Sequence, residues 1–402
     1  MHSPLAIAAV MALTASVGSA AEFGQDVDFL QKHVPVVVLS DPAGGAHVAV
    51  VPAWQGRVMT SSAHGDGGVS FGWINRDLIA TDKPQPHMNA LGGEDRFWLG
   101  PEGGQFSVFF APGVPFDLAH WYTPAAVDTE SYRVIRRETD RIEFRHAIEL
   151  TNYSGTRLKL ELTREVRLLD PAEALREHAV TSLPKGVAAV AYESVNTIRN
   201  TGTQPWRKDT GLLSIWILGM YNASPAATIV APFRRGPESE LGPAVNTAYF
   251  GAIPPERLIV RDGTVFFRGD SHYRSKIGFS PRRASPVVGS YDADSHTLTL
   301  VSYSRPAGAT DYVNSMWEIQ KNPFGGDIVN CYNDGPPAPG AKQLGHFFEL
   351  ESSSPALALQ PGEAAAHTHQ TIHLQGDEAA LDGIARTVLG VSLQGIKSAF
   401  PQ

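Results

Sequence analysis

Cysteine is nearly absent from this sequence, with Cys331 the single one among 402 residues. One thiol cannot close an internal disulfide, so the chain has to fold on burial of its core alone. Charge is scarce as well: Asp, Glu, Lys and Arg make up 18% of residues, 41 acidic against 33 basic, for a net charge of −8. There is no dense Lys/Arg run, so nucleic acid is not an expected partner. Beyond the N-terminus no stretch of about 18 apolar residues occurs, the length a membrane-crossing helix needs. Helical periodicity is thin too. Its best candidates are Asp170–His178, with Asp170 as cap and Pro171 in the first helical position, and Glu378–Leu393. What is present is 43% hydrophobic residues, 38 Gly and 29 Pro, enough for a large core divided by many turns.

The N-terminus carries the address. Leu5 to Val17 is apolar or small, Gly18-Ser19-Ala20 offers the small residues of a cleavage site, and Glu22, Gln25 and Asp26 follow at once. This pattern predicts a signal peptide over 1–20 and a periplasmic or secreted protein. Residues 21–402 then read as one domain, since neither a repeat nor a linker-like stretch interrupts them.

Short β-type runs punctuated by turn residues fill the rest of the chain. They include Val34–Leu39, His47–Val51, Tyr132–Ile135, Arg141–Arg145, Leu158–Leu169 and Leu298–Tyr303. Leu158–Leu169 alternates apolar and polar residues, as a strand with one wet face does, and Arg164 breaks the alternation, which predicts a bulge or a swap of faces. Many strands at short spacing imply an all-β fold, a large antiparallel β-sandwich.

Polar and aromatic residues gather in four places. The densest runs from His87 to Gly104, where strand alternation would put Glu94, Arg96 and Trp98 on one face, with Glu102 beyond a Gly-Pro turn. Aromatic rings stack on the C–H face of a sugar, charged groups bond its hydroxyls, and two neighbouring carboxylates can be driven apart in pKa to act as acid and base. The flanking glycines fit close approach of a ligand. The second cluster holds Trp317 beside Glu318 and Gln320, and then Asp327 and Asn333-Asp334-Gly335, where Asp334 reads as turn chemistry. In the third, Glu349 and Glu351 share a strand face, either wet or part of a site. In the fourth, His367, His369 and His373 project to one side, a solvated strand face in preference to a metal site, and no metal or other cofactor is expected. Lys276, in Tyr273-Arg-Ser-Lys-Ile-Gly278, is a half-buried cation in search of a carboxylate.

The order of these features resembles the aldose 1-epimerase (galactose mutarotase-like) superfamily over residues 35–375. Val51-Pro-Ala-Trp-Gln-Gly-Arg57, Asn89-Ala-Leu-Gly-Gly93, Asn196-Thr-Ile-Arg-Asn200 and Phe348-Glu-Leu-Glu351-Ser-Ser-Ser-Pro355 carry the likeness. It resembles most an uncharacterised secreted branch marked by "GGEDRFWLGPEGG", "YRSKIG", "NDGP" and "ELESSSP". The resemblance implies a galactose mutarotase-like β-sandwich that holds a mono- or oligosaccharide across one concave sheet, with Glu351 as base and Glu349 its alternative. The chain departs from the superfamily at both histidines: Leu91 runs straight into Gly92-Gly93, and Asn200-Thr-Gly-Thr and Leu212–Trp216 replace the central histidine motif. His87, His120 and His346 are the remaining candidates to supply a proton. The expected site is Glu351, Glu102 and Glu94 for chemistry, with Arg96, Trp98, His87, Lys276, Trp317 and Glu349 binding substrate. The expected function is epimerase-like proton transfer or glycosidic bond cleavage; the alternatives are a non-catalytic sugar-binding protein and, last, a metal enzyme built on His367 and His369.

Overall fold

The computed structural model describes residues 21–400, so the expected signal segment lies outside the described residues. The strands come in three sheets. In chain order they are β1 (Val37–Ser40), β2 (His47–Val51), β3 (Arg57–Ser62), β4 (Arg96–Gly100), β5 (Arg133–Arg137) and β6 (Arg141–Thr151). Next are β7 (Arg157–Leu169), β8 (Ala188–Asn200), β9 (Ser214–Asn222), β10 (Ala227–Pro232), β11 (Leu258–Arg261) and β12 (Thr264–Arg268). The last are β13 (Ser275–Phe279), β14 (Val287–Asp292), β15 (Thr297–Tyr303), β16 (Val329–Asn333), β17 (Phe347–Ser353) and β18 (Ala364–Gln375). Helices are few: α1 (Phe23–Gln31), α2 (Arg76–Ile79), α3 (Pro171–Arg176), α4 (Glu238–Leu241), α5 (Glu378–Leu389) and α6 (Leu393–Lys397).

A ten-stranded sheet in the order β11-β12-β10-β14-β15-β18-β8-β7-β6-β5 faces a five-stranded one in the order β13-β16-β17-β9-β4. All the pairings are antiparallel. Between them Ile229, Val265 and Phe267 meet Ile277, Phe279, Cys331 and Leu350. Burying a large apolar side chain contributes about 1.5–3 kcal/mol, so this seam holds the sheets together without a disulfide. Cys331 lies inside it, where burial pushes its thiol up. The outer face of the larger sheet is closed by α5 and α6, which lay Leu381, Ile384, Leu389 and Ile396 on Tyr291, Leu300, Ile372 and Leu374.

The two expected helices form, each for a local reason. Asp170 accepts from Glu173 N at 2.9 Å and caps α3, whose first residue is Pro171. The expected Glu378–Leu393 helix is broken at Gly390, whose φ of 71° is the left-handed value that ends a helix, and Ser392 then caps α6. Arg164 corrects another expectation. β7 pairs with both neighbours without a bulge, and the residue simply turns its side chain inward. There it meets Asp95 at 2.6 Å and Asn196 Oδ1 at 2.6 Å, both fully buried.

Candidate functional site

The site lies on the face of the five-stranded sheet turned away from the ten-stranded one. Register dictates who shares it. Arg96, Leu218, Glu351, Asn330 and Gly278 lie in one cross-strand row; Met220, Glu349, Tyr332 and Lys276 form the next, and Trp98, Trp216 and Ser353 a third. The alternation expected of Arg96 and Trp98, and of Glu349 and Glu351, is therefore what gathers them.

Lys276 is the centre of this face. Its Nζ donates to Glu351 Oε2 at 2.9 Å, and the same oxygen accepts from Trp216 Nε1 at 2.9 Å. The ammonium sits 4.9 Å from the Trp216 ring and 5.1 Å from that of Tyr249, within cation–π range of both. Burial works against its charge, yet the carboxylates of Glu351 and Glu102 outweigh that and leave its pKa raised. Burial likewise raises Glu102, opposed by Lys276 and by the Tyr249 hydroxyl, which donates to its Oε2 at 2.7 Å. Trp317 lies close enough to favour the Glu102 carboxylate, though without a hydrogen bond of ordinary geometry. Glu349 pairs with Arg96, whose guanidinium also lies 5.2 Å from the Trp98 ring. Burial raises Glu349 to about 8 in spite of that cation, and Glu351 beside it adds to the rise. The pair of glutamates is therefore not a wet face; it is buried against two cations.

Beside Lys276 opens a cavity of about 270 Å³ lined by Trp216, Tyr249, Asn246, Asp327, Asn330 and the 313–316 segment, among others. Gly100 and Gly278 keep its walls flat. A Cβ on Gly100 would come 2.6 Å from Ser214 Oγ, and one on Gly278 would overlap the Asp327 carboxylate. Behind Trp216 lies a packed aromatic cluster: Trp98 meets Trp216 edge-on at 5.5 Å, and Trp121 stacks on Phe109 at 5.8 Å and on Trp317 at 6.0 Å. On the cavity wall Ser214 Oγ has no partner among the described residues, and outside the lining the same is true of Glu351 Oε1, Arg96 Nε and the indole nitrogens of Trp121 and Trp317.

Other expected residues fall elsewhere. Glu94 is not on this face: β4 begins only at Arg96, after Gly92 and Gly93 at φ 97° and 115°, so strand alternation does not reach back to it. Its carboxylate points between the sheets and accepts from Ser61 N at 2.6 Å, Tyr192 OH at 2.8 Å and His373 Nε2 at 3.0 Å. His87 lies beyond the aromatic cluster, stacked on Tyr122 and bonded to Trp121 O at 2.6 Å, with no contact to Lys276 or the site carboxylates. His120 pairs with Asp117 at the surface, and His346 faces Gln343. The glycines flanking Glu102 and Glu94 serve the protein's own packing: Gly104 sits on the Gln320 amide and Gly93 on Arg57.

The histidine run is also corrected, because its face is the inner one. β18 is central, paired with β15 and β8, and His367, His369 and His373 are each at most 1% exposed. Ser352 Oγ lies 2.8 Å from both His367 Nε2 and His369 Nδ1, while His367 Nδ1 reaches Ser304 Oγ at 2.9 Å. Among the described residues no group of three or more His, Cys, Asp or Glu is placed to hold a metal ion. Asp334 accepts from Tyr332 OH at 2.7 Å and Gly345 N at 2.8 Å and so ties down the loop before β17. Sequence reasoning left Tyr249, Asn246 and Trp216 out of the site and gave Asp327 no role. The first two stand on a loop without periodicity, and only the Gly325-Gly326 pair before Asp327 marks a close approach.

Fold and face together define a β-sandwich with a polar, aromatic-walled cavity on its smaller sheet. The chain belongs to DUF6786, a family of unknown function, which matches residues 21–400. Among curated proteins none matches it. Its fold is similar to that of the Slr1438 protein from Synechocystis sp. PCC 6803, with 13% identity over 86% of this chain and 96% of that one at a TM-score of 0.50. Also similar are a galactose mutarotase related enzyme from Lactobacillus acidophilus (8% identity, 84% and 97% covered, TM-score 0.47) and a galactose mutarotase-like protein from Lactobacillus casei ATCC 334 (8%, 85% and 100%, 0.46). These are likenesses of fold alone, and the large antiparallel β-sandwich is the fold class that the strand pattern of the sequence predicted. No helix among the described residues is long and apolar enough to cross a membrane.

Proposed function

We propose that this is an exported carbohydrate-active protein that binds a sugar in the cavity beside Lys276 and acts on it by epimerase-like proton transfer or glycosidic bond cleavage. The observation that carries the reading is the Lys276 cradle. A buried ammonium, kept charged by two carboxylates and flanked by two rings, opens on a cavity lined by Ser214, Asn246, Asn314, Asp327 and Asn330, with Ser214 Oγ left without a partner. Polar side chains gathered on a cavity wall call for hydrogen-bonding partners, and a polyhydroxylated ligand is the chemistry that would supply them. The rings beside them offer faces for its C–H surface. Glu351 and Glu102, which hold Lys276 charged, keep the cation in place for any proton transfer in the cavity.

A second reading, sugar binding without catalysis, is favoured by one observation: Glu351 is fully buried and its Oε2 is already held by Lys276 and Trp216. Turnover assays separate the two. Polarimetry on D-glucose and D-galactose and release of nitrophenol from 4-nitrophenyl glycosides should show activity that Glu351→Gln or Glu102→Gln lowers at least about 100-fold. Binding without any turnover would establish the second reading instead. Export rests on the Leu5–Val17 run and the small residues after it. Mass spectrometry of the mature protein should find an N-terminus at Ala21 or Glu22, and an intact Met1 would contradict it.

A further inference from the structure

Among the groups that line the cavity, one carboxylate is built in more firmly than its neighbours. We infer that Asp327, rather than the buried Glu351, is the group that exchanges a proton with the bound sugar, and that Lys276 receives the charge this leaves behind. The inference rests on the reading of the cavity as a sugar site.

The geometry begins with the backbone. Gly326 N donates to Tyr312 O at 2.8 Å and Ile328 N to Phe279 O at 3.0 Å, so the residue between them is fixed on both sides. A loop then comes in to hold the side chain. Asn246 and Gly278 exchange two backbone hydrogen bonds of 2.8 Å, which clamp the loop to the edge strand β13. Asn246 Oδ1 accepts from Ala248 N at 3.0 Å, which fixes the orientation of its amide and leaves Nδ2 to donate to Asp327 Oδ2 at 2.8 Å. Gly278 gives the carboxylate room to lie flat against the strand. Asp327 Oδ1 takes no hydrogen bond among the described residues, and the residue lines the cavity beside Lys276. A carboxylate with one oxygen pinned and the other open is oriented as a proton acceptor needs to be. Glu351 differs in being fully enclosed, and Glu318, the other carboxylate lining the cavity, is exposed at its rim.

The surroundings tune it. Burial raises Asp327 to about 6, against the Asn246 hydrogen bond and the Lys276 charge, which both pull it down. The charged and polar groups around it are Lys276 on β13, Asn246 on the loop, Asn330 on β16 and Glu318 on the 313–326 segment. In the step itself the O–H bond of a substrate hydroxyl breaks and its proton passes to Asp327 Oδ1. The electron pair stays on the substrate oxygen beside the Lys276 ammonium, and the neutral carboxyl later returns the proton. Glu351 and Glu102 then act as positioning residues, since they hold Lys276 charged and in place.

The test uses the mature protein with D-galactose, D-glucose, D-galacturonate and 4-nitrophenyl glycosides, measuring binding by calorimetry and turnover from pH 4 to 9. Asp327→Asn should lower kcat at least about 100-fold with the binding constant within about threefold and the unfolding midpoint retained. Asn246→Ala should shift the acid limb of kcat/KM upward by about half a pH unit, because it removes a hydrogen bond to the charged form. Turnover untouched by Asp327→Asn, or an acid limb that stays in place in Asn246→Ala, overturns the inference. So does wild-type protein that binds a probe and turns none over, although the sugar-binding reading then stands. Wild-type protein that binds no probe overturns both.

Discussion

The seam between the two large sheets and the outer face of the five-stranded sheet both bury charge, but they satisfy it differently. In the seam Glu94 collects donors from Ser61, Tyr192 and His373, and Arg164 of the ten-stranded sheet is shared among Asp95, Asn196 and Gly56 O. Asp95 Oδ2 and His369 Nε2 are exceptions there. On the outer face the carboxylates of Glu102, Glu349 and Glu351 crowd round Arg96 and Lys276, and a polar cavity opens beside Lys276. A buried polar group with all its partners fixes a structure, whereas one lacking them is held ready for something else. Polarity on the inside serves the fold; polarity on the outside is what the proposed function assigns to a ligand.

Removing one half of an inner pair should have the largest effect. Arg164→Ala leaves the fully buried Asp95 without its cation and should cost about 3–5 kcal/mol in urea unfolding. A loss below about 1 kcal/mol would show that the inner network is not what holds the sheets in register. Acid comes next. Burial holds His367 and His369 down at about 3 and about 4, so the folded protein keeps both rings neutral where the unfolded chain, below about 6.5, takes up protons. Their contribution is therefore full above pH 6.5 and falls away as pH drops toward 4. In the double variant His367→Gln/His369→Gln this acid slope should flatten by up to about 3 kcal/mol per pH unit between pH 6.5 and 4; parallel stability curves would contradict the buried neutral pair. A smaller effect is expected at Ser352, whose hydroxyl lies between the two rings: Ser352→Ala should cost about 1–2 kcal/mol. Smallest of all, Glu102→Gln on the outer face should change stability by less than about 1 kcal/mol, since burial already disfavours its charge there. A penalty as large as that of Arg164→Ala would erase the distinction between the faces.

Much of this was legible in the sequence. Alternation placed Arg96 with Trp98 and Glu349 with Glu351, and the shortage of helical periodicity pointed to stacked sheets. Lys276 found the carboxylate it needed in Glu351, one strand beyond its neighbour in the same sheet. What failed were judgements about which face is which. A period of two says that His367, His369 and His373 lie together, but it cannot say whether water or a second sheet covers them. Glu94 was misplaced because alternation was extended back beyond the start of β4 at Arg96. Arg164 looked like a fault in a strand, because a buried arginine is legible only when its distant partner, Asp95, is known. Asn246 and Tyr249 reach the cavity on a loop, where no period announces a side chain.

Calorimetric titration of wild-type protein and Lys276→Met with a panel of mono- and oligosaccharides tests the central claim most directly. Wild-type protein should bind at least one sugar, and the substitution should weaken that binding at least about tenfold, with the unfolding transition still cooperative. Wild-type protein that binds no sugar, or a variant that binds as tightly as the parent, would contradict it.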